Sequence, residues 1–257
     1  MGNGGRRAVA SGARPGYLDH PVNDHPVNRA RSAMSTPEPT ITGGTDAWRT
    51  LPEAKRHTVT EAAVDEFAAR GYSGASMNAL VKAAGISKGS LFHYFRSKGD
   101  LFEGIVDAAF GRVKARVKAV RDGTSGAPLE ARLAALLDAG FDFVDEHPRL
   151  ASIYFQVLRS GDGPLARRRL EEMAQLSRQF FAELIADAQT RGEVAADVDP
   201  ERVAWLLDAM MERLLAAWHA GDVPADRRAA ERRAWVESFR MLVARGLAPV
   251  NEEIHGA

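Results

Sequence analysis

From Thr50 to Leu247 the apolar residues recur at intervals of three and four, and strand-like alternation is nearly absent. Val59, Ala62, Ala63 and Phe67 share one helical face. They follow Thr50-Leu51-Pro52-Glu53, which has the form of a capping box with proline in the tolerated first turn, and Gly71 ends the run. Ser76 can cap a second helix bearing Met77, Leu80, Val81 and Ala84, and Gly85 supplies the next turn. Ser87 can cap a short third helix, and an isolated helix of about seven residues is marginal in water unless neighbours hold it. Ser97 opens a fourth helix that keeps its period through Leu101, Phe102, Ile105, Ala109, Phe110, Val113 and Val117. After Gly123–Gly126 the patterns lengthen: Leu129–Glu146, Pro148–Arg159, Leu165–Arg191, Asp199-Pro200 to His219, and Asp226–Leu247.

The predicted fold is therefore all-α. A three-helix helix-turn-helix unit over 48–97 precedes a helical bundle over 98–248, which begins with a connecting helix at 98–120. Residues 1–47 are rich in Gly, Pro, Asn, Ser and Arg without periodicity and read as a tail, as do residues 249–257. The tail holds DHPVN twice in succession, Asp19–Asn23 and Asp24–Asn28, and Met34 offers an alternative start.

Charge sharpens this division. The formal net charge is +0, yet residues 49–121 carry 13 Lys+Arg against 7 Asp+Glu, while residues 122–257 carry 16 Arg against 23 acids. All six lysines lie in the basic block. A basic module joined to an acidic one points to a polyanion partner for the first. The chain has no cysteine, which excludes disulfides, thiolate metal sites and a catalytic thiol. No apolar run approaches a membrane span of about 20 residues and no hydrophobic signal core is present, so a cytoplasmic protein without membrane contact is expected.

The second and third helices, joined by Ala84-Gly85-Ile86, have the helix-turn-helix form in which the second helix enters the DNA major groove. Leu91 and Phe95, at i and i+4, pack inward with Ile86, leaving Lys88, Ser90, His93 and Tyr94 to face outward. Lys88 suits a phosphate or a guanine edge. Hydroxyls on Ser76, Ser87 and Tyr94, helix N-terminal amides and the Lys98 ammonium suit phosphates. With Asn78 and Gly89, these form the candidate DNA-contact set.

The run from Arg56 through Phe102 resembles the DNA-binding domain of the TetR family. The resemblance is carried by Phe67, Gly71-Tyr72, Ala84-Gly85-Ile86-Ser87, Gly89, Leu91-Phe92, Phe95, Ser97-Lys98 and Leu101. It implies a homodimeric transcriptional regulator, usually a repressor released from its operator by a small ligand, with a divergent C-terminal ligand and dimerisation domain. The family often has Tyr where this chain has Phe92, and His where it has Tyr94, with His93 in the intervening slot.

Gly85-Ile86-Ser87-Lys88-Gly89 also matches the G-x-S-x-G nucleophile elbow, but that chemistry needs a strand before the serine. Here a helical pattern precedes it, so a capping Ser87 is the simpler reading and no enzyme is expected. His57, His147 and His219 lack ligand-spaced partners, and neither metal nor cofactor is expected. Arg167-Arg168-Arg169 is followed one turn later by Glu171 and Glu172, as on a solvated helix face.

The resemblance also places an effector cavity among the middle helices, for which Phe110, Phe141, Tyr154, Phe155, Met173, Phe180 and Trp205 are the candidate lining. No charge cluster marks it, so an apolar or aromatic effector is expected. The last two helices are apolar over much of their circumference, as elements with more than one face to cover are. Leu207, Met211, Leu214, Trp218, Trp235, Phe239 and Leu242 are the candidate dimer seam, since the family pairs two copies through these helices. Two-fold symmetry then presents two reading helices to palindromic double-stranded DNA. The alternative is an all-α protein–protein module whose basic face meets an acidic partner.

Overall fold

The structure is a computed structural model, and it describes residues 41–160, 164–221 and 223–249. Among these the chain forms ten α-helices and no strand. They are α1 (Asp46–Arg49), α2 (Glu53–Gly74), α3 (Met77–Ala83), α4 (Lys88–Tyr94) and α5 (Lys98–Gly123). The bundle continues with α6 (Leu129–Glu146), α7 (Pro148–Ser160), α8 (Pro164–Thr190), α9 (Pro200–Ala220) and α10 (Arg228–Leu247).

Three serines do the capping their positions predict. The hydroxyls of Ser76, Ser87 and Ser97 accept from the backbone N–H of Ala79, Ser90 and Asp100 at 3.3, 3.0 and 3.0 Å. Thr50 does not open α2. It closes α1, its hydroxyl donating to Asp46 O at 2.9 Å, and α2 starts behind Pro52 without a side-chain cap. Gly71 breaks the regular path of α2 with φ 66°, a left-handed conformation that costs glycine nothing. The turn between α3 and α4 uses Gly85 at φ 64° in the same way.

The chain joins the fold earlier than the expected tail boundary at residue 47. Ile41 and Trp48 are buried, the Trp48 indole N–H donates to Ile41 O at 3.1 Å, and Ile41 N donates to the Thr60 hydroxyl at 3.3 Å. Thr42 N and Thr45 N then bond Gly104 O and Tyr94 O, strapping this segment across α5 and the end of α4. The strap needs Gly104, since a Cβ there would lie 2.4 Å from Ile41 Cγ2 and 2.5 Å from Thr42 O.

Two apolar cores result. The first joins α2 to α4, the start of α5 and the strap with Leu150, Ile153 and Val157 of α7. The second joins α6, α8, α9 and α10 with Ala151 and Phe155 of the same α7. α7 is thus shared, and Tyr154 packs against both cores.

Candidate nucleic-acid interface and internal cavity

α4 is too short to persist alone, and its inward residues fix it. Leu91 and Phe95 are buried in the first core, and the Trp48 ring lies 4.8 Å from the Phe95 ring. Glu66 of α2 accepts from Ser76 N at 2.7 Å, holding the start of α3 in place. The opposite face of α4 is left to solvent and carries Lys88, Gly89, Phe92 and His93, with Asn78 and Lys82 exposed on α3. Ser87 and Ser90 share a 2.8 Å hydroxyl contact at the helix start. Ser87 stands between two helices as a cap, so the strand an elbow requires is absent from the described residues.

Two expected contacts are placed otherwise. Tyr94 does not stand free on the outward face. It is half-buried, with its ring 6.0 Å from that of Trp48. Lys98 does not present a free ammonium either. Nζ donates to Ala75 O at 2.8 Å and Ser73 O at 3.3 Å and lies 5.0 Å from the Tyr72 ring centroid, closing the C-terminus of α2. Phe92, 40% exposed, is an aromatic on the same outward face of α4 that the candidate set omits.

Between α5 and α9 lies a cavity of about 360 Å³. The structure brings Phe110, Tyr154, Phe155, Met173 and Phe180 of the candidate lining onto its wall. Phe141 is instead fully buried in the second core, its ring 4.8 Å from that of Trp218. Trp205 points out of the protomer and is 58% exposed. Phe143 and Phe181 complete the aromatic wall. The wall is also less neutral than the spacing suggested, because Asp208 and Glu212 line it. Burial pushes both carboxyls above the ordinary range, and for Glu212 the neighbouring Asp208 charge adds to this. Among the described residues no group of His, Asp and Glu could hold a metal ion. No described helix is long and apolar enough to cross a membrane.

The profile of "Bacterial regulatory proteins, tetR family" matches residues 59–105, and that of "Tetracyclin repressor-like, C-terminal domain" matches residues 157–234. The chain is similar to the transcriptional regulator AcuR of Cereibacter sphaeroides, with 30% identity over 163 residues, 61% of this chain and 73% of AcuR. This chain belongs to the TetR family. The Escherichia coli regulator UidR is 25% identical over 178 residues, covering 69% of this chain and 88% of UidR. A solved TetR family regulator from Chloroflexus aurantiacus superposes with a TM-score of 0.66 at 26% identity, covering 79% of this chain and 98% of that one. The family comprises DNA-binding transcriptional regulators, a class without enzymatic activity.

In this TetR-family chain the apolar circumference of α9 and α10 divides into two faces. Leu207, Met211, Trp218 and Phe239 point inward and are buried in the protomer's own second core, and Leu214 packs partly buried against it. Trp218 is further held by its indole N–H, which donates to Asp145 at 3.1 Å. Leu207, Met211, Trp218 and Phe239 are therefore core, and Leu214 lies at the edge of it. The outward face carries Trp205, Leu206, Trp235 and Leu242, exposed by 58, 59, 46 and 57%. Of the expected seam, Trp235 and Leu242 lie there.

Proposed function

We propose that this protein is a ligand-responsive repressor that binds a palindromic operator as a homodimer and is released by a small, largely apolar effector. One observation carries the reading: a buried anchor, α7, joins the helix-turn-helix unit to an aromatic-walled cavity. In this reading α4 enters the major groove. Lys88, His93 and Asn78 reach base edges, hydroxyls of Ser76, Ser87 and Ser90 reach phosphates, and Gly89 lets the backbone approach. Lys98 acts indirectly by holding the corner of α2 and α3, and Tyr94 by supporting α4 from Trp48.

The dimer seam in this reading is the outward stripe of Trp205, Leu206, Trp235 and Leu242, an exposed apolar patch of the kind that marks association. A cytoplasmic site of action follows from a chromosomal partner. The test is nuclease protection of an inverted repeat near the protein's own gene by the purified chain, with Lys88→Ala compared across half-site variants. A changed base preference supports the groove assignment. Protection of no repeat, or identical preference in Lys88→Ala, sinks it.

A further inference from the structure

The last carbonyls of a helix have no partner within it, and most helices satisfy them with a left-handed residue just past the end. α4 has no such residue. Phe95 behind it is extended, at φ −133° and ψ 125°, and neither Arg96 nor Ser97 has a positive φ. One residue of the strap, 48 positions before His93, supplies the partners instead. The Thr45 hydroxyl donates to His93 O at 2.7 Å, and Thr45 N donates to Tyr94 O at 3.0 Å. A helix of seven residues is marginal alone, so what holds its end decides where it points.

The strap is anchored on two other helices, which gives this cap a fixed origin. Ile41 N reaches the Thr60 hydroxyl of α2, and the Arg56 guanidinium of α2 donates to Arg49 O at 2.9 Å. Thr42 holds Gly104 O of α5 through both its N–H and its hydroxyl, each at 3.3 Å. Gly43 and Gly44, at φ 82° and 69°, turn the chain from these anchors to Thr45, and a Cβ on Gly44 would lie 2.7 Å from the Trp48 ring. The covalent link from α4 to α5 is weaker as a guide, since Phe95 and Ser97 are both extended. A pivot of α4 about that link would break both Thr45 bonds.

We propose that Thr45 is a positioning residue for DNA recognition, capping the C-terminus of α4 from the strap and fixing the angle of α4 against α2 and α5. Thr45 acts through α4 and not by touching a base or a phosphate. Trp48 beside it supplies burial against Phe95, whereas Thr45 supplies direction through hydrogen bonds. The recognition role rests on α4 being the element that enters the groove, as in the proposed function. The cap itself does not.

Two variants of the full chain test it. Thr45→Val keeps the branched shape and the backbone bond and removes the hydroxyl, while Thr45→Ser keeps the hydroxyl. Amide hydrogen exchange over residues 88–95 should run about fivefold faster in Thr45→Val than in the parent, as for one lost hydrogen bond. Exchange over Leu129–Glu146 of α6 should not change, and Thr45→Ser should match the parent throughout. Each form is then titrated with the duplex that the parent selects from a random pool. Thr45→Val should bind it more weakly by a similar factor with an unchanged salt slope, and Thr45→Ser should bind like the parent. Equal exchange in Thr45→Val and the parent, acceleration shared equally by α6, or Thr45→Ser behaving like Thr45→Val overturns the cap. Faster exchange of α4 with undiminished affinity overturns the role in recognition. A parent that selects no duplex overturns the groove assignment and the recognition role with it, and the exchange rates still decide the cap.

Discussion

Replacing Lys98 by methionine keeps the hydrocarbon stem and removes only the ammonium. That ammonium donates to Ala75 O at 2.8 Å and to Ser73 O at 3.3 Å and lies over the Tyr72 ring. A hydrogen bond to a charged group contributes about 1.5–3 kcal/mol where it is shielded, and less where water competes, as it does at Ser73. A partly exposed cation–π contact adds about 0.5–1 kcal/mol. Since these contributions are not additive, the net loss should be about 2 kcal/mol. For a chain of this size that lowers Tm by about 4–8 °C. Thermal and urea unfolding followed by circular dichroism measure it without DNA. Binding to operator should weaken by a similar factor at every salt concentration, because α3 and α4 lose a support rather than a phosphate contact. A lost phosphate contact gives a different signature, a drop of about 0.9 in the slope of log K against log salt. Unchanged stability together with that drop would refute the capping argument and make Lys98 a phosphate anchor.

Leu242→Glu and Trp235→Glu should leave a folded monomer, because both residues are exposed in the protomer, whereas Phe239→Glu should fail to fold since Phe239 is buried. Sedimentation with circular dichroism separates the two outcomes, and a folded, dimeric Leu242→Glu would move the seam elsewhere. Gly104→Ala should evict the strap and cost about 1–3 kcal/mol by overpacking, read as a lower Tm and faster tryptic cutting at Arg49. At Gly89 a Cβ would meet nothing closer than Ser87 Oγ at 3.7 Å, so Gly89→Ala should leave Tm unchanged or slightly raised while operator affinity falls. Equal affinity would show that DNA does not approach α4 there.

The long helices and the helix-turn-helix were legible because each is amphipathic over several turns and each short helix opens on a capping serine. What spacing could not supply was the choice between two apolar faces of one helix. α9 is apolar over much of its circumference, and Leu207 and Leu206 differ only by one residue's rotation, yet one is core and the other exposed. Phe141 and Trp205 were misplaced for the same reason, since an aromatic on a helix carries no mark of which neighbour covers it. The strap was missed because its reason lies far along the chain, in the missing side chain of Gly104. The role of Lys98 depends likewise on carbonyls more than twenty residues earlier, which no local pattern reveals. The carboxylates of the cavity could not be singled out, because Asp208 and Glu212 read as ordinary polar positions on an amphipathic helix. A partial signal did exist, in their i, i+4 spacing on the side of α9 away from Leu206.

The position of α7 makes repacking at the cavity felt at the DNA-binding unit. Tyr154 and Phe155 face the cavity, while Arg149, Ser152 and Gln156 on the same helix grip α2. Arg149 reaches Asp65 and Glu61, each at 2.8 Å, and Gln156 donates to Ala68 O at 2.6 Å. A Cβ at Gly71 would come within 3.0 Å of the Gln156 amide oxygen, so the kink of α2 fits closely against α7. These contacts couple a rotation of α7 to α2, and through Glu66 and Ser76 to the start of α3. α5 offers a second route, since it runs from the Ser97 cap beside α4 to Phe110 on the cavity wall. A close-packed interior transmits such displacements instead of absorbing them. In the proposed reading, an effector that favours one setting of α7 over another would act on α4 through packing already present in the protomer, and the magnitude of its effect is limited to the difference in its affinity for the two settings.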